Sequence, residues 1–196
     1  RGVPGGHRLR AKSPQRPRSL HRVSTTVPTP ATPPAGADPE LFRRAVGRFA
    51  TGICVVTTSV DGVDHAMTAN AFTSVSLNPP MVLVCVEQEA RFHEAVLASG
   101  TWGVSVLDAT AQGASTWLAT RGRPLPGQLD RVAHVRGEHT GVALLEQALS
   151  WLECRTAQVV SAGDHSIVVG EVLGCALADS DAGALLYYRS AYRDLR

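Results

Sequence analysis

The sequence predicts a mainly β chain with short helices, folded as an antiparallel barrel. Short apolar, β-branched runs recur along most of its length and are joined by turn-forming residues. Helical spacing of apolar residues occurs only in a few brief stretches. The strands are not separated by the regular crossover helices that a doubly wound parallel sheet needs, so strands closing on themselves are the better solution.

The folded part opens near Asp38, where a capping side chain precedes Pro39 at a position suited to the first helical residue. The helix carries Leu41, Phe42, Ala45, Val46 and Phe49 on one side and Arg43, Arg44 and Arg48 on the other, and Gly52 ends it. Ile53 to Val60 is a β-branched strand, Asp61-Gly62 a hairpin turn, and Val63 to Ala71 the return. Phe72 to Leu77 alternates apolar and polar residues, and Asn78-Pro79-Pro80 breaks the chain. Met81 to Val86 is apolar throughout, as expected of a strand covered on both faces. Helical spacing returns from Glu89 to Ser99, with Gly100 as C-terminal cap. Trp102 to Leu107 is a strand, Asp108 caps a helix running to about Ala119, and Arg121 to Gln128 is a loop. The pattern from Leu129 to Gly141 assigns no element. Leu149 to Val160 and His165 to Ala176 pair across a turn at 161–164, and Leu185 to Arg189 is a last strand.

Apolar content of 44% with 18% charged residues is that of an ordinary soluble globular protein. No apolar run reaches the length of a membrane span, so the expected setting is cytoplasmic with no membrane partner. Residues 1–37 are rich in proline and arginine, carry no acidic side chain and hold few large apolar residues, so they are expected to be a disordered basic tail. The remainder, 38–196, is expected to be the single domain. It is mildly acidic, which gives no reason to expect a nucleic-acid partner. Cys54, Cys85, Cys154 and Cys175 lie far apart in apolar stretches and read as buried free thiols.

Much chemistry lacks its parts. There is no GxGxxG after a strand, no HExxH and no GxSxG. The only lysine is Lys12, which removes a P-loop and any Schiff-base lysine in the domain. His134 and His139 have no convincing metal-ligand spacing, and no metal is expected. Chemistry supplied by a bound organic group is what remains.

The stretch Met67 to Pro80 (MTANAFTSVSLNPP) resembles the flavin reductase-like family, whose fold is the FMN-binding split β-barrel, antiparallel and of Greek-key type. Phe49 to Thr58, Met81 to Glu87, Trp102 to Leu107, Gly163-Asp164-His165 and Leu185 to Arg189 resemble further segments of that family in the same order, so the likeness spans about residues 40–193. It implies an NAD(P)H-dependent flavin reductase that passes hydride from NADH (or NADPH) to FMN or FAD. The reduced flavin would go to a partner flavin-dependent monooxygenase, and the chain would form a homodimer. A split-barrel oxidoreductase holding its flavin tightly for its own small substrate, and a non-enzymatic flavin-binding module, are the alternatives.

By the same resemblance, Met67, Thr68, Ala69, Asn70 and Ala71 line the flavin, Cys85, Val86 and Glu87 meet it mainly through main-chain atoms, and Arg91 contacts its phosphate. Trp117 stands where relatives place a flavin-contacting side chain, although many of them carry Arg-Phe where this chain has Trp117-Leu118. His165, Tyr188 and Arg189 fall on the nicotinamide side, and Tyr187 and Tyr188 point to opposite faces of their strand. No catalytic acid or base is expected, since hydride passes directly between the two bound groups and the protein's task is orientation. His165 is assigned to orienting the nicotinamide amide.

Overall fold

The structure is a computed structural model that describes residues 36–195. The expected tail over 1–37 falls almost wholly outside the described residues.

Helix α1 (Pro39–Val46) begins as the sequence predicts, with the Asp38 carboxylate accepting the Glu40 amide at 3.0 Å. It is shorter than expected. Gly47 caps it, and the chain re-enters a sheet at strand β1 (Thr51–Gly52). More tellingly, α1 buries none of its residues. Its apolar residues Leu41, Phe42 and Val46 stay more than half exposed among the described residues.

Seven strands form the main sheet: β2 (Cys54–Val60), β3 (Val63–Ala69), β4 (Phe72–Leu77), β5 (Pro80–Glu87), β6 (Thr101–Leu107), β9 (Ala148–Ala162) and β10 (His165–Leu177). Their order is β3-β2-β6-β9-β10-β5-β4, and every pairing is antiparallel. The two edge strands, β3 and β4, are consecutive in the chain. In a flat sheet they would stand about 29 Å apart, at roughly 4.8 Å per strand. The step from Ala69 to Phe72 reaches at most about 11 Å. The sheet must therefore curl until the linked ends of β3 and β4 come together, which makes it a barrel split along the unpaired β3 edge. Asn70 and Ala71 make the short crossing between the edges, and the Ala71 carbonyl, accepting the Cys85 amide at 3.0 Å, extends the β4–β5 ladder.

Two apolar clusters lie on the two faces of this sheet. One holds Val56, Val84, Val86, Phe92, Val96, Trp102, Val104 and Val168. The other holds Ile53, Val55, Leu107, Leu118, Leu129, Leu145 and Leu185. Successive residues of β2 feed the two clusters alternately, as period-two side chains must, and this explains its unbroken β-branched sequence. Gly170 belongs to the first cluster's wall because Trp102 crosses it. A Cβ there would fall 2.6 Å from the indole Cζ2.

Helix α2 (Arg91–Ser99) follows β5 and ends on Gly100 at φ +69°, the left-handed cap the sequence predicts. Helix α3 (Gln112–Ala119) follows a short 3-10 turn whose amide at Thr110 is capped by Asp108. The undetermined segment 129–141 contains β7 (His134–Arg136), paired with β8 (Ala143–Leu145). Strand β11 (Leu185–Tyr188) stops one residue short of expectation. Arg189 and Ser190 both take positive φ and turn the chain into β12 (Ala191–Asp194), which the sequence reading missed.

Two burial expectations need correction. β5 is not covered on both faces: Val82, Val84 and Val86 are buried, while Met81, Leu83 and Cys85 are half-exposed. Of the four free thiols only Cys54 and Cys154 are buried, whereas Cys85 is intermediate and Cys175 exposed. Burial pushes both Cys54 and Cys154 up to about 12, with the Glu153 carboxylate adding to the effect at Cys154. These two thiols pack as apolar groups and do not act as nucleophiles at neutral pH.

Candidate functional site

Strand β3 pairs only with β2, so its other edge is open. Asp64 and Ala66 turn their main-chain carbonyls toward that edge, and by the two-residue period Thr68 turns its own the same way. An open edge in water would be a pairing hazard. Here the segment after α3 covers part of it. The Gln128 amide nitrogen donates to the Asp64 carbonyl at 2.6 Å, and the Arg123 guanidinium donates to the Ala66 carbonyl. Arg123 also donates to the Thr120 carbonyl at 2.9 Å and to Gln128 Oε1 at 3.2 and 3.3 Å. Trp117 Nε1 donates to the Gln128 carbonyl at 2.8 Å, and Thr68 Oγ1 donates to the Ser115 carbonyl at 2.7 Å. Helix α3 and the 121–128 loop are thereby bound to β3 as one wall.

Between that wall, the end of β5 and the start of α2 lies a cavity of about 560 Å³. Ala66, Met67, Phe92, Leu118 and Leu125 give it apolar sides. Arg91, Arg121, Arg123, Glu87 and Glu89 stand around it, with His65. The three arginines have different commitments. Arg123 is half-buried and used up in the wall. Arg91 Nη2 donates to the Arg123 carbonyl at 2.6 Å. Arg121 Nη2 meets both Glu87 carboxylate oxygens, at 2.7 and 2.9 Å.

Nδ1 of His65 is buried without a hydrogen-bond partner. Burial lowers the His65 pKa below the usual histidine value, Arg91 lowers it further, and Asp64 opposes both. Because folding disfavours the charged imidazole, the unfolded chain binds protons more readily below about pH 6.5. The stabilisation is complete above that value and is lost as pH falls toward the lower folded pKa. Denaturant melts between pH 7.5 and 5 should show a steeper acid loss for the wild type than for His65→Gln. Parallel curves would remove this assignment.

Of the residues singled out from the sequence, Met67, Thr68, Glu87 and Arg91 line this cavity. Ala69 is buried beside it on β3, and Val86 points into the barrel core, leaving only its main chain to offer. Asn70 is exposed and donates to Thr51 Oγ1 at 3.3 Å; Ala71 and Cys85 bond to each other where the β4–β5 ladder ends. Trp117 lies on the far side of the loop, in a second cavity of about 720 Å³ with Pro124, Pro126 and Val132. His165 stands opposite Glu87 in the β5–β10 register, its Nδ1 2.7 Å from Asp164 Oδ1. That contact holds the exposed Asp164 carboxyl below its ordinary value. Tyr188 and Arg189 sit together at the β11–β12 turn, the guanidinium 5.2 Å from the ring centre, and line neither cavity. His65, Arg121, Arg123 and Gln128 were not found from the sequence.

A curled antiparallel barrel with a cation-rimmed cavity along its open edge defines a split-barrel domain. The chain belongs to the flavin reductase like domain family, which it matches over residues 46–196. It is 43% identical over 154 residues to an NADH-dependent FAD reductase of Streptomyces globisporus, covering 77% of this chain and 83% of that one. An NADH-dependent flavin reductase of a Rhodococcus species is 40% identical over 166 residues, covering 81% and 89%. Among solved structures, the flavin reductase component of a bacterial two-component tryptophan halogenase superposes with a TM-score of 0.76 at 46% identity, covering 81% of this chain and 98% of its own. The NADH:FAD oxidoreductase of Streptomyces globisporus, in complex with NAD and FAD fragments, gives a TM-score of 0.76 at 36% identity, covering 81% and 95%.

The cavity fits a flavin by its chemistry. Its volume lies within the range of about 300–1,000 Å³ usual for small-molecule sites. It combines apolar walls for a ring, an open strand edge for the ring's polar rim, and arginines for phosphate. Arg91 also opens helix α2, where free amides favour an anion.

Proposed function

We propose that this chain is an NAD(P)H-dependent flavin reductase that reduces FMN or FAD and supplies the reduced flavin to a partner flavin-dependent monooxygenase. The observation that carries the reading is the β3-edge cavity, apolar inside and ringed by arginines, in a chain of this family. Bound flavin supplies the hydride acceptor. The chain's residues hold and orient: Met67, Thr68 and Ala69 along the edge strand, with Asn70 and Ala71 at its end, and the main chain of Cys85, Val86 and Glu87 across from them. Arg91 takes the phosphate. His165 orients the nicotinamide amide, with Tyr188 and Arg189 on the same side in the assembled protein, and Trp117 closes the outer wall. Direct transfer needs proximity and alignment, which a preformed wall provides without a strong acid or base.

A homodimer is part of the reading. Leu41, Phe42, Val46 and Phe49 are 52–74% exposed along and just after α1, an apolar face of the kind a second copy covers. Among the described residues no helix is long and apolar enough to cross a membrane, in keeping with a cytoplasmic enzyme.

The test is a spectrophotometric matrix of FMN and FAD against NADH and NADPH. Steady nicotinamide oxidation in the presence of excess free flavin, with no other acceptor than dissolved oxygen, is the expected result. Flavin that copurifies tightly but stays oxidised under NADH would overturn it.

A further inference from the structure

The ion pair between Arg121 and Glu87 sits on the rim of the cavity and joins the 121–128 loop to the end of β5. We propose that it is an exchangeable latch, and that Arg121 is the specificity-determining contact for the diphosphate of a dinucleotide substrate. The inference rests on the flavin reductase reading and adds to it.

The three arginines cannot serve alike. Arg123 is spent on three main-chain and side-chain acceptors and builds the wall. Arg91 faces the cavity from the first turn of α2 and is steadied by the Arg123 carbonyl, which suits a fixed phosphate contact. Arg121 differs from both. Its side chain is 81% exposed, and among the described residues it pairs with a carboxylate that is itself 31% exposed. A pair so open to water is held weakly. Gly122, at φ +75°, follows it directly and lets the loop turn there. A phosphate offers an arginine the same two-oxygen geometry as a carboxylate, with more charge. A ligand with one phosphate is met by Arg91. A ligand with two brings a second anion to the rim, where Arg121 leaves Glu87 to meet it. Glu87 also faces His165 across the β5–β10 register, so the latch lies between the cavity and the side assigned to the nicotinamide. The diphosphate is that of FAD or that of the pyridine dinucleotide, and the experiment separates them.

Two substitutions break the same ion pair with opposite consequences. Arg121→Gln removes the cation; Glu87→Gln releases it. If the pair were only a structural tie, both variants would shift binding in the same direction. With Arg121 serving the diphosphate, Arg121→Gln raises KM for the dinucleotide about tenfold, and Glu87→Gln lowers it roughly twofold. A rise in the FAD-to-FMN ratio of KM assigns the flavin's diphosphate; a rise in KM for NADH at saturating FMN assigns the nicotinamide substrate's. Calorimetric titration with ADP, a nucleotide diphosphate needing no turnover, should weaken for Arg121→Gln and tighten for Glu87→Gln. Shifts of the same sign in the two variants, or none in either, overturn the proposal. A wild type that binds ADP but oxidises no NADH, with these opposite shifts in the two variants, would sink the reductase reading and leave the latch standing.

Discussion

Replacing Arg123 with methionine is expected to raise the flavin KM by about 10–100-fold and to lower the unfolding free energy by about 2 kcal/mol. No other cavity side chain joins so many elements. Its guanidinium bonds the Ala66 carbonyl on β3, the Thr120 carbonyl after α3, and Gln128 Oε1 in the loop. Methionine keeps most of the aliphatic stem but leaves the Ala66 carbonyl without its donor on a partly covered edge. Gln128, which is buried and itself holds the Asp64 carbonyl, loses the partner that fixes its amide. The loop then hangs from β3 by one hydrogen bond where there were two. Displacement of a wall by an ångström is enough to cost orders of magnitude in a reaction governed by alignment. Burial, and secondarily the charge of Arg91, already lower the Arg123 pKa from its ordinary value. The site therefore tolerates this cation because of its hydrogen bonds. Arg123→Lys is the informative control, since it keeps the charge and loses the planar fork. Urea melts and steady-state kinetics should place it close to the methionine variant. A lysine variant indistinguishable from wild type would mean that charge alone matters and that the wall is not what Arg123 builds.

The same residue marks where the sequence stops being readable. The strands were legible because period and composition are local: β2, β3, β6, β9 and β10 announce themselves through β-branched runs and the Asp61-Gly62 turn. Barrel closure was less direct, since it follows from β3 and β4 being both neighbours in sequence and opposite edges of one sheet. The motif from Met67 onward pointed to the β3 edge, and Met67, Thr68, Glu87 and Arg91 do meet at one cavity. Arg123 and Gln128 were invisible. Their loop reads as prolines, glycines and scattered charge, and nothing in that pattern says that two side chains reach back some sixty residues to cap the carbonyls of an edge strand. Helix α1 failed in the opposite way. Its amphipathic spacing was plain, but spacing cannot say whether an apolar face meets the chain's own core or another copy.

That face supplies the other large expected effect. In the proposed homodimer, Phe42→Asp should shift the protein toward monomer, raising the dimer dissociation constant roughly a hundredfold or more. A two-fold interface uses each residue twice, so one substitution removes two phenyl rings and buries two carboxylates. Burying a single aromatic side chain is worth about 1.5–3 kcal/mol, and the doubled loss is further increased by the unpaired charges. The fold itself should survive, because Phe42 is 60% exposed in the single chain and α1 contributes nothing to either core cluster. Sedimentation across a concentration series, with thermal melting beside it, separates the two contributions. A wild type that sediments as a monomer would remove the dimer itself, and a variant that stays dimeric with an unchanged melting point would place the contact elsewhere on the surface. If the variant dissociates and its NADH oxidation falls while the melt is kept, the second copy completes the site as well as covering the helix. Arg189 makes that outcome physically reasonable: its amide bonds the Gly47 carbonyl at 2.8 Å, so the turn carrying Tyr188 and Arg189 is tied to the end of α1 and moves with whatever α1 packs upon.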